Sequence, residues 1–254
     1  MQAREVISLE ELRDNKYGKV LCYPRCVQQE LIRRLKELKS LRVQALEFIG
    51  ETRLFDLRVL GKGYVGIVVV AHMTLGRAAL KIRRTDADRK DMFHEAEMLK
   101  RANKVDVGPK LFEISENFLL MELFEGKNFP EWLESLDSKK GPTRARRVLN
   151  KILKQCYKLD KIQLDHGELS NAYKHIIVDA DDKPHLIDFE TASINRRASN
   201  VTAVCQYLFL GSQIAHRIRK KLEKADEKLL INALRGYKRK GTREKFEKIL
   251  ETIL

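Results

Sequence analysis

The octapeptide Gly61-Lys62-Gly63-Tyr64-Val65-Gly66-Ile67-Val68 has the spacing G-x-G-x-x-G-x-V. Glycines at this spacing let a backbone turn tightly and approach a ligand with no side chain in the way. The pattern joins two runs of β-branched residues rather than a strand and a helix. That argues against a dinucleotide-binding turn and for a hairpin lying over nucleotide phosphates. Lys81 follows, at the end of the apolar run Ala78-Ala79-Leu80. An unpaired ammonium in an apolar strand is costly, so Lys81 requires an acid. Glu95 shares a helical stripe with Met92, Leu99 and Ala102, which directs it inward, whereas Glu97 has Arg101 at i+4 and reads as a surface pair. Glu95 is the expected partner. A third group lies in LDHGELSNAYKHIIVDADDKPHLIDFE, residues 164–190. There His166-Gly167-Glu168 precedes one short strand and Asp188-Phe189-Glu190 ends the next. Two acids at the mouths of adjacent strands suit phosphoryl transfer: one orients a hydroxyl nucleophile, the other holds Mg²⁺ against phosphates.

The elements that must position these groups follow from periodicity. Leu31, Leu35 and Leu38 recur at helical spacing within 26–41, with Arg33, Arg34, Lys36 and Lys39 expected on the surface. From about 43 the pattern changes to short strands separated by glycine-containing turns, VQALEFIG, TRLFDLRVLG, YVGIVVVAHM and GRAALKIRR. A helix is expected over 86–104, then strands around LFEIS and NFLLMEL. Helices are expected over 130–137, 143–161, 199–223, 225–236 and 242–253, interrupted by a loop with two small strands at 165–190. The fold class is therefore α+β and two-lobed, an antiparallel strand-rich lobe with one helix and a mainly helical lobe. The expected organisation is a helical N-terminal extension (1–45), a first lobe (46–124) and a second lobe with basic C-terminal helices (125–254).

The 254 residues, 43% hydrophobic and 34% charged, exclude a collagen-like or disordered chain. The net charge of +14 is concentrated. Residues 138–161 hold nine Lys/Arg against one acid, Asp160, and residues 212–254 hold thirteen against six. Such clustering points to a polyanionic partner. Cys22, Cys26, Cys156 and Cys205 are too few for a disulfide scaffold and complete no zinc site. Isolated thiols, acids in place of a basic leader and no bilayer-length apolar run give the expectation of a soluble, cytoplasmic protein with no membrane or obligate protein partner.

The order of glycine loop, Lys, Glu, Met121-Glu122-Leu123, His-x-acid turn and Asp-Phe-x resembles the protein-kinase-like superfamily over roughly residues 55–215, in its compact RIO and Bud32 form. HGELSNAYKHIIV and LIDFETASINRRASNVTAVCQYL are similar to an archaeal RIO-like group of predicted Ser/Thr kinases that includes the tRNA 2′-O-kinase of archaea. The resemblance implies ATP and Mg²⁺ as cofactors. It implies that Gly61, Lys62, Gly63, Gly66 and Val68 cover the phosphates, and that Lys81, held by Glu95, contacts them. It also implies that the backbone of Glu122 and Leu123 meets adenine, that Glu168 serves the acceptor hydroxyl, and that Asp188 binds metal.

Two departures from the pattern matter. Glu168 replaces the usual Asp, one methylene longer, and the metal-binding Asn five residues later is Tyr173. His175, after a two-residue insertion, or Asn171 takes its place. The resemblance implies transfer to a ribose 2′-hydroxyl of tRNA, at uridine 47 of the variable loop. The expected RNA contacts are Arg144, Arg146, Arg147 and Lys151 with Lys139 and Lys140, then Arg196 and Arg197, then Lys238, Arg239 and Lys240. The alternatives are a Ser/Thr protein kinase of the translation apparatus and an RNA-binding pseudokinase.

Overall fold

The computed structural model describes residues 5–137, 139–222 and 226–254. The chain forms two compact units, one of residues 5–100 with Pro109–Leu123, the other of Arg101–Gly108 with Phe124–Leu254. A strand-rich first unit and a mainly helical second unit are the α+β, two-lobed arrangement read from the sequence.

The first unit contains β1 (Glu5–Ser8), α1 (Asn15–Gly18), α2 (Gln28–Ser40), β2 (Val43–Phe48), β3 (Thr52–Leu54), β4 (Leu57–Val59), β5 (Gly61–Lys62), β6 (Gly66–Met73), β7 (Gly76–Arg83), most of α3 (Phe93–Asn103), β8 (Leu111–Ile114) and β9 (Phe118–Met121). Among the described residues seven strands form one antiparallel sheet in the order β1-β2-β6-β7-β9-β8, with β5 paired on β6. The central β6, GIVVVAHM, is almost continuously buried, as a strand covered on both faces must be. Its Ile67, Val69 and Ala71 share a core with Leu46, Leu80 and Phe118 and with Leu12, Leu31 and Leu38.

The segment expected as an N-terminal extension thus contributes to the first unit's sheet and core. β1 pairs with β2. Arg34, expected on the surface, is fully buried. Its guanidinium donates to Glu30, to the carbonyls of Leu21 and Arg83, and to Asn117 Oδ1. Glu37 accepts from the Asn117 amide group and backbone and from Ser115. A buried charge is tolerable only when its donors are satisfied this fully, and the result fastens α2 to the sheet. The helix expected from 86 begins at Phe93, where Asp91 Oδ1 accepts the Phe93 amide as a cap; Asp86 instead binds Arg84.

The second unit contains β10 (Lys127–Asn128), α4 (Phe129–Glu134), α5 (Gly141–Lys161), β11 (Ile176–Val178), β12 (Pro184–Leu186), α6 (Asn200–Phe209), α7 (Gln213–Leu222), α8 (Glu227–Lys240) and α9 (Arg243–Ile253). α5 buries Ala145, Val148, Leu149, Ile152, Cys156 and Leu159 along one stripe. The single helix expected over 199–223 is two. Gly211 adopts φ +68°, and Ser212 Oγ accepts the Ala215 amide, so Gly-Ser ends one helix and caps the next. Expected boundaries at 223 and 225, and residues 1–4 of the extension, lie outside the described residues. α8 runs to Lys240 and stops at Gly241, φ +55°. Among the described residues no helix is long and apolar enough to cross a membrane. Cys22, Cys156 and Cys205 are buried thiols, and Cys26 is half-buried.

Candidate functional site

In the first unit the glycine octapeptide forms the β5–β6 hairpin. Gly61 pairs with Val68 and Lys62 with Ile67, and the Gly63 amide donates to the Gly66 carbonyl at 2.8 Å. The hairpin is anchored from below. Arg84 donates to the Gly63 carbonyl (2.9 Å), and Lys62 Nζ to the Tyr23 hydroxyl (2.6 Å). Gly66 is required for a specific reason: a Cβ there would lie 3.0 Å from Lys81 Cγ and 3.1 Å from its Cε. Lys81 therefore runs along the strand beside Gly66 and meets Glu95, with Nζ 2.9 Å from each carboxylate oxygen. Both side chains are about 95% buried, at 5% and 4% exposure. A Cβ at Gly61 or Gly63 would meet nothing closer than 3.7 Å, so these two glycines, unlike Gly66, are not demanded by packing within the hairpin. Val68 is half-buried in register with Lys81. The Glu122 amide donates to the Lys110 carbonyl (2.8 Å), so that donor is engaged by the sheet rather than held for an adenine.

In the second unit Glu168, His175 and Asp188 each offer a ligand atom, all within 4.8 Å of one another. His175 Nε2 is 3.6 Å from Glu168, and its Nδ1 is 4.0 Å from Asp188. Local structure explains the convergence. Leu169–Lys174 form a short 3-10 turn, and the His175 carbonyl accepts the Ile187 amide (3.0 Å), which sets the end of the turn against the residue before Asp188. Asp188 has φ +68°, turning its side chain out of the strand line while Phe189 goes into the core. His175 Nδ1 is buried and has no hydrogen-bond partner among the described residues. An orphaned imidazole nitrogen beside the Asp188 carboxylate, with the Glu168 carboxylate on the ring's other nitrogen, offers donor atoms of a kind that a divalent cation accepts. Asn171, the other metal candidate, lines a cavity with Tyr173 and Tyr207.

Sequence reading placed His166 in the turn but gave it no role, and it did not single out Asn200 or Asp160 behind it. His166 donates from Nε2 to the Ile187 carbonyl (3.1 Å) and stacks obliquely on Phe189. Burial, then the neighbouring His175 ring, pushes its pKa down to about 4, so it is a neutral strut. The His166 amide is fixed by Asn200 Oδ1, and Asn200 by Asp160, which also takes Val201 and Tyr237. Gly167, at φ +91°, has Thr191 and the Arg196 guanidinium within 2.6–2.9 Å of a would-be Cβ. The His-Gly-Glu spelling carried that signal, since a side chain at 167 would displace Arg196.

Several residues expected to meet RNA have internal partners. Arg144 donates to both Asp182 oxygens (2.7 and 2.8 Å), Arg147 to one (2.9 Å), and Lys151 to the Asp182 carbonyl (3.0 Å). Trp132 Nε1 completes the Asp182 shell at 2.9 Å. The Arg144 hydrogen bonds hold the Asp182 carboxyl well below the usual carboxylate range. Arg146 donates to the Leu222 carbonyl, and Arg196 to Asp165 and the Thr191 carbonyl. Lys238, Arg239 and Lys240 are exposed at the end of α8. With Lys161, Asp160 and Arg197, whose guanidinium donates to the Lys238 carbonyl, they line a cavity of about 280 Å³ at the start of α6.

Two comparisons with known proteins bear on this arrangement. Residues 75–200 match the family model of the RIO domain. A stretch of 102 residues, 40% of the chain, is 29% identical to an uncharacterized protein of Methanocaldococcus jannaschii, MJ1211, and covers 83% of it.

Proposed function

We propose that this chain, which belongs to the RIO-like atypical kinases of the protein-kinase-like superfamily and at that level is an ATP-dependent phosphotransferase, uses RNA as its acceptor. The finer reading is transfer of the γ-phosphate to a ribose 2′-hydroxyl of tRNA, at uridine 47 of the variable loop. The observation that supports an RNA acceptor best is the gathering of Lys161, Arg197, Lys238, Arg239 and Lys240 around one cavity of the unit that carries Glu168. Five cations at one surface site suit a phosphodiester backbone and have no use with a basic protein tail.

Each residue has a chemical role in this reading. Lys81, kept in place by Glu95, neutralises phosphate oxygens of ATP, and the glycine hairpin covers them. Glu168 takes the proton of the acceptor hydroxyl as its oxygen attacks the γ-phosphorus and the bond to the β-bridging oxygen breaks, leaving ADP. The additional methylene of Glu168 relative to Asp extends the carboxylate by roughly 1–1.5 Å. His175 and Asp188 would hold a divalent cation, Mg²⁺ in the first instance, which when bound supplies charge neutralisation at the phosphates. The transfer is largely dissociative, so orientation and fixed charge carry most of the work.

The test is incubation with γ-labelled ATP and Mg²⁺, offering bulk tRNA and total protein in parallel. Label should enter tRNA at an alkali-resistant position, and Lys81→Ala should cut it by about 10²-fold or more while leaving RNA affinity intact. Label confined to protein would establish the Ser/Thr kinase alternative. RNA binding without label in either would establish the pseudokinase.

A further inference from the structure

The 3-10 turn that begins after Glu168 forms one wall of a second cavity, and that cavity has features no residue of the phosphoryl-transfer scheme explains. It measures about 380 Å³, within the range of small-ligand sites. Asn171 and Tyr173 come from the turn, Glu131 from α4, Tyr207 from α6 and Gln213 from α7. The Tyr207 side chain is 94% buried, at 6% exposure, yet its hydroxyl has no hydrogen-bond partner among the described residues. Ser212, on the same wall, cannot serve it, because its Oγ donates to the Tyr207 carbonyl and accepts the Ala215 amide. A buried hydroxyl left unpaired is destabilising, and phenylalanine would avoid that cost with the same ring. Burial pushes the phenol up to about 12, so the group remains a donor.

We infer that this cavity receives the nucleobase of the acceptor nucleotide. The reading rests on the RNA-kinase function proposed above and deepens it by naming the subsite that selects the base. The chemistry of the walls is that of a base-edge reader. Tyr207 donates, the amides of Asn171 and Gln213 both donate and accept, and Glu131 accepts. Tyr173 is 45% exposed, a ring at which an unstacked base can lie. Position agrees with the chemistry. The Asn171 amide donates to the Glu168 carbonyl (3.0 Å), so the cavity wall and the acceptor-orienting carboxylate belong to one turn. Asn171 departs from helical torsions there, with φ −136° and ψ +59°, which separates its side chain from the regular course of the turn. For the cavity to serve in this way, a nucleotide with its ribose at Glu168 must reach this wall with its base. Such a base must be out of any helical stack, which is the usual state of a base read by its own edge.

The test uses full-length protein and four tRNA transcripts that differ only in the base at the labelled position. Wild type should prefer one base over the others by at least tenfold in kcat/KM. Tyr207→Phe should lower kcat/KM for that base about tenfold and reduce the preference to less than threefold, with a thermal midpoint unchanged or raised. Tyr173→Leu should cost about 5- to 100-fold through lost stacking, while Tyr173→Phe retains activity. Labelled tRNA with wild-type kcat/KM and base preference in both Tyr207→Phe and Tyr173→Leu would overturn the base pocket and leave the RNA kinase standing. Absence of label in every transcript, with a changed KM for a labelled protein in Tyr173→Leu, would overturn both and assign the cavity to a peptide side chain.

Discussion

Helix α5 and the end of α8 carry similar densities of lysine and arginine, but they use them differently. On α5 the guanidinia of Arg144 and Arg147 and the ammonium of Lys151 converge on one residue, Asp182, which also receives the Trp132 indole. At the end of α8, Lys238, Arg239 and Lys240 stand exposed beside Lys161 and Arg197 around a cavity. Asp182 lies in the tight turn between β11 and β12, at φ +55°. The same hairpin has His175 just before its first strand and Asp188 just after its second. The α5 cations therefore clamp the tip of the hairpin whose base bears the candidate metal ligands, whereas the α8 cations are arranged around open space. A run of positive charge in a sequence is thus two different objects, and a single well-placed acid decides which.

The comparison breaks most visibly at its hub. Asp182→Ala leaves two arginines and an indole N–H facing a vacated, largely buried position; the Asp182 side chain is only 6% exposed. Removing one partner of a fully buried ion pair costs about 3–5 kcal/mol. Because Arg144 and Arg147 are 37% and 58% exposed and can turn to water, about 2–3 kcal/mol is expected here. For a chain of this size that lowers Tm by roughly 5–10 °C. Thermal and urea unfolding would measure it, and a loss under 0.5 kcal/mol would remove the clamp from the description.

The second test sets the two basic regions against each other in RNA binding. Lys238→Ala, Arg239→Ala and Lys240→Ala combined should flatten the log–log salt dependence of tRNA affinity by about 2–3, one contact each, with unfolding unchanged. Arg144→Ala with Arg147→Ala should move that slope by less than one while lowering Tm. If the α5 pair changes the slope as much as the α8 trio, its side chains release Asp182 in the complex and the contrast between the regions disappears.

How much of this was legible in the sequence depended on whether the signal was local. The glycine hairpin, the strands around it and the inward stripe that selects Glu95 over Glu97 all follow from spacing within a few residues, and the Lys81–Glu95 ion pair forms. The break at Gly211-Ser212 was equally local, a left-handed glycine followed by a capping serine, and was hidden only by the apolar run on either side. The burial of Arg34 was not legible. At i+3 from Leu31 and i−4 from Leu38 it flanks the buried stripe of α2, but apart from Glu30 its acceptors come from Leu21, Arg83 and Asn117, as many as 83 positions away, so the satisfaction of a buried guanidinium could not be read locally. Asp182 was hidden for the same reason. Nothing near it in sequence distinguishes it from Asp179 or Asp181, and its arginines lie 35 and 38 residues upstream. In the candidate site, residue types were readable and their grouping was not. Register put His175 at the metal position and kept Asn171 as the other candidate; that His175 Nδ1 is orphaned 4.0 Å from Asp188 could not be read from the sequence.

The smallest effect isolates the Asp182 carboxylate itself. Hydrogen bonds from Arg144, then Trp132 and Arg147, hold its pKa well below the ordinary value of about 3.9. As pH falls, the unfolded chain takes up this proton before the folded one does. The carboxylate's contribution is therefore complete above about pH 4 to 5 and declines as the pH drops through the unfolded pKa toward the lower folded value. Asp182→Asn keeps the shape and an acceptor oxygen but has no proton to bind, and every other acid is common to the two proteins. The difference in unfolding free energy between wild type and Asp182→Asn should accordingly shrink by about 1 kcal/mol between pH 5 and pH 3. A difference that stays constant over that interval would mean that Asp182 holds the hairpin through geometry alone. The α5 arginines would then carry unneutralised charge like that of α8, and the two regions would differ only in exposure.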